Sequence, residues 1–160
     1  MAQDTDSRLK CLLLPVQSGI LLLPNSVVAE IVPAQRHHTD DVARPDWYIG
    51  HIEWRGTSLP LISLETLCDS STREFPSKTS FVVLHRLQDA PGGEDYYAVC
   101  IDGIPHFQFV DETAVESLST ASENPYIAHE VSLDGASAII PDLDAVERQL
   151  NTLEKVTAEV

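Results

Sequence analysis

The residues best suited to metal chemistry lie in one polar run, which holds His37, His38, Asp40 and Asp41. Two imidazoles and a carboxylate could bind a transition metal, but neighbouring histidines rarely point at the same ion. Residues 33–44 show no apolar period, so an exposed polar loop is the favoured interpretation. A small metal-dependent protein that uses the loop from His37 to Asp41 stays open as an alternative.

Sequence motifs for nucleophilic catalysis and phosphate binding are absent. The chain has no Gly-x-Ser-x-Gly elbow, and it has neither Gly-x-x-x-x-Gly-Lys nor Gly-x-Gly-x-x-Gly. Paired carboxylates such as Asp111-Glu112 carry little information in a chain with 25 acidic residues. The sequence therefore predicts a protein that is not an enzyme, with no catalytic residue, no metal site and no cofactor.

An arginine at a predicted turn is the strongest candidate for recognition. Residues 50–64 read Gly-His-Ile-Glu-Trp-Arg-Gly-Thr-Ser-Leu-Pro-Leu-Ile-Ser-Leu, so two apolar arms flank Arg55-Gly56. Gly56 tolerates the positive φ of a turn, and Pro60 belongs on an edge or at a strand start because it cannot donate to a sheet ladder. Arg55 thus occupies a rigid corner with few acids nearby in sequence, which indicates a recognition surface rather than a catalytic centre.

Charge and cysteine usage narrow the classes of partner and the compartment. The chain has 25 acidic and 10 basic residues, for a formal net charge of −15. Nucleic acids and anionic membranes both attract clustered Lys and Arg, so both are disfavoured as partners. The three cysteines form no Cys-x-x-Cys pattern, and no clean apolar run is long enough to cross a membrane. The sequence predicts a cytoplasmic protein that neither binds nucleic acid nor inserts directly into a membrane.

Short apolar runs separated by Gly- and Pro-containing turns predict a mainly β structure. The predicted strands cover residues 11–16, 20–23, 31–32, 47–54, 59–67, 81–87, 96–101, 104–110, 126–133 and 136–140, and the segment 59–67 is expected to end in a short helical turn. Ser26 is a candidate cap for a helical turn before the third strand, and 113–123 is predicted to be a loop or a weak helix. No β-α-β alternation is present, which favours a barrel or a sandwich over a doubly wound sheet.

One amphipathic helix is predicted at the C-terminal end. Asp142 is a candidate N-cap, and apolar residues follow at helical spacing, namely Leu143, Val146, Leu150 and Leu153. The polar residues 1–8 are expected to form a mobile tail, and 151–160 the end of the helix or a tail. The Ser-, Thr- and Pro-bearing connection 69–78 is the predicted subdomain boundary.

Four segments together resemble one family. They are Val28-Ala29-Glu30-Ile31; residues 50–56 followed by Pro60 and Ser63-Leu64; residues 98–104, Ala-Val-Cys-Ile-Asp-Gly-Ile; and residues 126–128 with 139–143. The sequence is similar to CheW-like adaptor domains, which link chemoreceptors to the chemotaxis histidine kinase. The segments follow the family's order and cover residues 9–150, which are expected to form a single CheW-like domain. The resemblance implies two small five-stranded β-barrel subdomains around a shared core.

The resemblance also implies a non-catalytic function. One surface would bind the regulatory domain of a CheA-like histidine kinase, and a groove between the barrels would bind the cytoplasmic tip of methyl-accepting chemoreceptors. By motif position, the candidate receptor-binding residues are Val28, Glu30, Gly50 and Arg55. Val28 would pack against a receptor helix, and Gly50 would let its backbone approach closely. Arg55 would pair with Glu30 or with an acid on the partner.

The chain departs from the family's pattern at several positions. Glu53 stands where asparagine is usual, His51 replaces an apolar residue, Ser63 an aspartate and Pro141 a leucine. These departures resemble a divergent paralogue, such as the second adaptors of chemosensory systems that control type IV pili and twitching motility. A stand-alone acidic interaction module, or an anti-adaptor that lost receptor binding, is the alternative.

Two residues beside Arg55 are expected to tune the receptor site, namely Glu53 and Gly56. Glu53 lies two residues from Arg55, and strand alternation would put both side chains on one face. The acid would then neutralise the arginine or change its choice of partner.

Overall fold

The strands follow most of the predicted apolar runs. The computed structural model describes residues 8–16, 19–33, 35, 38–39, 43–68, 80–90, 95–101, 103–111, 115–117 and 124–158. The strands are β1 (Leu9–Val16), β2 (Gly19–Pro24), β3 (Val28–Pro33), β4 (Tyr48–Trp54), β5 (Thr57–Ile62), β6 (Ser80–His85), β7 (Tyr96–Ile101), β8 (His106–Val110), β9 (Val115–Ser117), β10 (Ile127–Leu133) and β11 (Ala136–Pro141). The helices are α1 (Leu64–Cys68) and α2 (Leu143–Ala158), and a 3-10 turn spans Asn25–Val27.

Two sheets make up the fold. The strand order is β8-β1-β2-β11-β10-β9 in the six-stranded sheet and β3-β6-β7-β5-β4 in the five-stranded sheet. The prediction of a mainly β protein with two small sheets and a C-terminal helix is confirmed, with six strands instead of five in one sheet. The sixth strand is β9, where a loop or weak helix was predicted. Val115 in β9 pairs with Leu133 of β10 and packs beside the core of that sheet.

The chain crosses between the two sheets twice. The six-stranded sheet takes β1 and β2 from the start of the chain and β8 to β11 from its end, while the five-stranded sheet takes β3 to β7. Residues 69–78 lie outside the described residues, but β5 before them pairs with β7 after them. The sheets therefore do not divide at 69–78. The predicted tail, residues 1–7, is also outside the described part of the chain.

Three apolar clusters fill the fold. Strand alternation in β6 points Val82 and Leu84 into the largest cluster, the shared core, to which both sheets and α2 contribute. Phe81 and Val83 point the opposite way, into a second cluster within the five-stranded sheet. A smaller cluster within the six-stranded sheet contains Cys11, Leu22, Val110 and Leu133. The shared core makes the two sheets mutually dependent.

The helices begin at side-chain caps. The backbone N–H of Thr66 donates to Ser63 Oγ at 3.2 Å, so β5 ends at Ile62, and α1 is the short helical turn expected at the end of segment 59–67. Serine and aspartate are both good N-caps, so the departure at Ser63 preserves this capping capacity. The predicted N-cap of α2 is confirmed, since Ala145 N–H donates to Asp142 Oδ1 at 3.1 Å. In the described part of the chain, neither helix has the length and apolar character needed to span a membrane.

Candidate partner-binding site

Glu30 connects the two edge strands of the five-stranded sheet. It lies on β3 and contacts Trp54 of β4, at the other end of the strand order. Trp54 Nε1 donates to Glu30 Oε2 at 2.7 Å, and Arg55 Nη2 donates to Glu30 Oε1 at 2.9 Å. The sheet must curl into a barrel for these contacts to form. Glu30, Trp54 and Arg55 are called the Glu30 clasp below.

Arg55 leaves the strand through a left-handed turn. Its φ is 48° and that of Gly56 is 77°, the combination found in two-residue type I′ hairpin turns. A left-handed conformation costs a residue other than glycine about 1–2 kcal/mol. The turn places the guanidinium 4.8 Å from the centre of the Trp54 ring, while 68% of the side chain stays exposed. Arg55 is therefore oriented by the clasp and still accessible to a partner.

The clasp favours the ionised form of Glu30. The hydrogen bond from Trp54 is the largest cause that lowers the pKa of this carboxyl, and the hydrogen bond from Arg55 is the next. Hydrogen bonds to a carboxylate stabilise its charge, so they oppose protonation. At neutral pH the clasp is an ion pair with an additional indole donor.

Trp54 was predicted only as an apolar strand residue, and its role in the clasp was missed. Its ring is buried in the cluster of the five-stranded sheet and lies 4.8 Å from the Tyr96 ring. A buried indole N–H usually finds an acceptor, which is the sequence signal that was available. The acceptor itself, Glu30, is 24 residues earlier in the chain.

A β-bulge separates Val28 from Glu30. Val28 pairs with Leu84 and Glu30 pairs with Val83, so Ala29 is the extra residue on β3. The bulge directs Val28 toward the shared core, where it is half-buried, and Glu30 toward Trp54. Val28 and Glu30 therefore face different sides of the sheet.

Gly50 lies just after a second bulge. Tyr48 pairs with Ile62 and Gly50 pairs with Leu61, so Ile49 is the extra residue on β4. Gly50 is buried, which contradicts the expectation that a partner backbone approaches it directly. Any effect of Gly50 on binding is therefore indirect and acts through the backbone conformation of β4.

Glu53 and Arg55 do not share a face. Glu53 is exposed and pairs in register with Ser58, whereas the neighbouring Trp54 points into the barrel. The positive φ of Arg55 ends the strand alternation and turns its guanidinium toward Trp54. The prediction of a common face is wrong for this reason, and the acid that contacts Arg55 is Glu30.

One residue of the histidine-rich run, His38, pairs with the outer edge of β4. His38 and His51 exchange two backbone hydrogen bonds of 2.8 Å each, and His51 Nε2 lies 2.8 Å from the Tyr48 hydroxyl. His37, Asp40 and Asp41 lie outside the described residues. Among the residues that are described, no group of three or more His, Cys, Asp and Glu side chains could hold a metal ion.

A buried polar cluster that the sequence analysis did not single out attaches α2 to the five-stranded sheet. The Arg86 side chain is 1% exposed and donates to Glu154 Oε1 and Asn151 Oδ1, both at 2.8 Å. Its Nε also donates to the backbone oxygen of Tyr96 at 3.3 Å. Since Tyr96 packs on Trp54, this cluster lies behind the Glu30 clasp.

Glu147 belongs to the same polar cluster, and Arg86, Glu147, Asn151 and Glu154 are called the α2 anchor below. Glu147 is fully buried, and its Oε1 accepts hydrogen bonds from the backbone N–H groups of Leu87 at 2.7 Å and Gln88 at 3.0 Å. Burial raises the pKa of Glu147, against the opposing effects of these donors and of Arg86. The available sequence signal was an acid four residues after Leu143, on the apolar side of α2.

Comparison with known proteins identifies the family. The CheW-like domain family matches residues 10–150, and the chain belongs to this family. Its proteins are non-catalytic scaffolds. The fold is similar to the crystal structure of the scaffolding protein TtCheW from Thermoanaerobacter tengcongensis, with a TM-score of 0.70 and 16% identity over 89% of this chain and 90% of that chain. No curated protein matches the sequence.

Proposed function

We propose that this protein is a non-catalytic adaptor that couples chemoreceptors to a CheA-like histidine kinase in a bacterial chemosensory array. The observation that carries the proposal is the Glu30 clasp. In it, an exposed arginine in a strained turn pairs with one oxygen of a carboxylate whose other oxygen is bound by Trp54. Strained backbone at an exposed position is typical of functional sites, because stability alone would favour its removal.

The receptor is the proposed partner of the clasp. Arg55 would meet an acceptor on the cytoplasmic tip of a methyl-accepting chemoreceptor, and half-buried Val28 would add apolar contact at the edge of the shared core. Glu30 would orient Arg55, Gly50 would shape β4, and Gly56 would permit the turn. Exposed Glu53 would adjust the local charge from the opposite face.

The kinase regulatory domain is the second proposed partner. Family membership supports this pairing, since a scaffold must bind a second component besides the receptor. The adaptor would act in the cytoplasm and be recruited to receptor arrays at the membrane. The departures at His51, Glu53, Ser63 and Pro141 support assignment to a chemosensory system of the type IV pilus and twitching-motility kind.

The alternative of an anti-adaptor without receptor binding, or of a stand-alone acidic interaction module, rested on the substitutions Glu53 and Ser63. Arg55 contacts Glu30 and leaves most of its side chain exposed, and Ser63 caps α1 as an aspartate could, which supports the adaptor over this alternative. The test is reconstitution with the kinase and a receptor-tip fragment encoded in the same genome. We expect receptor control of kinase autophosphorylation only when this chain is added. A chain that binds the kinase and has no effect on receptor control would favour the anti-adaptor.

A further inference from the structure

Trp54 contacts both charged side chains of the Glu30 clasp. Its Nε1 donates to one oxygen of Glu30 at 2.7 Å, and Arg55 Nη2 donates to the other at 2.9 Å. The Arg55 guanidinium also lies 4.8 Å from the Trp54 ring centre, within the range of a cation–π contact. One side chain thus contacts both members of the ion pair.

The Trp54 ring is itself held in place. It is 8% exposed, and its centre lies 4.8 Å from that of Tyr96 at an interplanar angle of 59°. Arg86 Nε donates to the Tyr96 backbone oxygen, which ties the main chain at Tyr96 to the α2 anchor. The indole N–H therefore has a fixed direction, and Glu30 is bound from the barrel side.

Resting on the function proposed above, we infer that the Trp54 indole N–H sets the partner specificity of the receptor site. It holds Glu30 as the internal counter-ion of Arg55, so that the exposed charged group available for binding is the guanidinium. A guanidinium that donates one hydrogen bond to Glu30 still has N–H groups that can donate to a carboxylate of the partner. The site therefore selects a helical partner that presents an acidic side chain to Arg55.

Without the indole donor, Glu30 has one anchor instead of two. The carboxylate then rotates toward solvent, competes with the partner acid for Arg55 and repels that acid. Trp54→Phe removes the donor and keeps an aromatic ring against Tyr96, and Trp47→Phe is the matched control in the shared core. Trp54 acts through Glu30 and Arg55, so it is a positioning residue.

The first measurement is the pH titration of the Glu30 carboxyl carbon by NMR, which needs no partner. We expect the pKa of Glu30 to rise toward its ordinary value in Trp54→Phe and in Arg55→Asn, since each variant removes a hydrogen bond to the carboxylate, and to stay unchanged in Trp47→Phe. An unchanged Glu30 titration in Trp54→Phe would overturn the inference.

The second measurement is the affinity for a receptor-tip helical hairpin from the same genome. Loss of a hydrogen bond to a charged group predicts roughly tenfold weaker binding of Trp54→Phe. In a Glu30→Ala background, Trp54→Phe should have no further effect, whereas a general structural role would make the two effects additive. Equal affinity of Trp54→Phe and wild type, or additivity, would overturn the inference. Failure of the proposed function is distinguished by wild-type protein that does not bind the hairpin.

Discussion

Arg55 combines an unfavourable backbone conformation with weak side-chain contacts. Its ion pair with Glu30 has side chains that are 68% and 36% exposed, and exposed pairs contribute about 0–1 kcal/mol. The left-handed conformation costs about 1–2 kcal/mol, so arginine is a poor choice for folding alone. Among the described residues, the second turn with a positive φ just before a glycine has Asp134 at that position, which tolerates this conformation better. The partner recognition proposed above would account for an arginine at this corner.

Arg55→Asn and Arg55→Ala separate stability from binding. Both variants lose the contacts to Glu30 and Trp54, but asparagine tolerates a left-handed backbone and alanine does not. We expect the free energy of unfolding of Arg55→Asn, measured by urea denaturation, to be about 0.5–1 kcal/mol higher than that of Arg55→Ala. Equal stability of the two variants would argue against strain in the turn.

Several contacts that join the strands and helices cannot be predicted from local sequence patterns. The β hairpins and the cap of α2 could be predicted, because turn residues, Asp142 and the apolar spacing are neighbours in sequence. The bulges at Ala29 and Ile49 could not, since they depend on register between strands. The Glu30–Arg55 pair was one of two options in sequence, and closure of the barrel selects it. The α2 anchor depends on Arg86 and Glu147, which are 61 positions apart in sequence.

Glu147 makes the docking of α2 depend on pH. Its pKa is raised by burial, so the folded chain binds this proton more tightly than the unfolded chain. The contribution of Glu147 to stability is therefore most favourable below its unfolded pKa and is lost as pH rises through the folded pKa. Glutamine is neutral throughout and keeps an oxygen for the N–H groups of Leu87 and Gln88.

We expect the stability of Glu147→Gln, relative to wild type, to increase as pH rises from about 4 to 8. Urea denaturation across that range measures the difference in free energy of unfolding. Glu116→Gln on exposed β9 is the matched surface control for the loss of one carboxyl. A flat difference for Glu147→Gln would show that the pKa of Glu147 is the same in the folded and unfolded chain, and a declining one that the folded chain favours the carboxylate; either would contradict the prediction.

At the scale of the whole molecule, the two sheets share one core. Residues from β1, β2, β6, β7 and α2 meet in it, so neither sheet can bury its apolar face alone. The interleaved chain order has the same consequence, since β2 lies between β1 and β11. The family resemblance made the two-sheet fold predictable, whereas composition alone left barrel and sandwich open.

The shared core predicts one cooperative unfolding transition. Trp47 lies in the shared core and Trp54 in the cluster of the five-stranded sheet, whereas Cys11 is buried in the cluster of the six-stranded sheet. We expect tryptophan fluorescence and the reactivity of the Cys11 thiol, followed by mass spectrometry, to change at the same urea concentration. Separate midpoints for the two probes would mean that the sheets unfold independently.

The most direct test of the adaptor function is kinase control in a reconstituted array. Kinase, receptor-tip fragment and this chain are combined, and autophosphorylation is measured with wild type, Arg55→Asn and Arg148→Gln, the last removing a charge from the exposed side of α2. The account predicts receptor control with wild type and Arg148→Gln, and its loss with folded Arg55→Asn. Full receptor control by Arg55→Asn, or none by wild type, would contradict it.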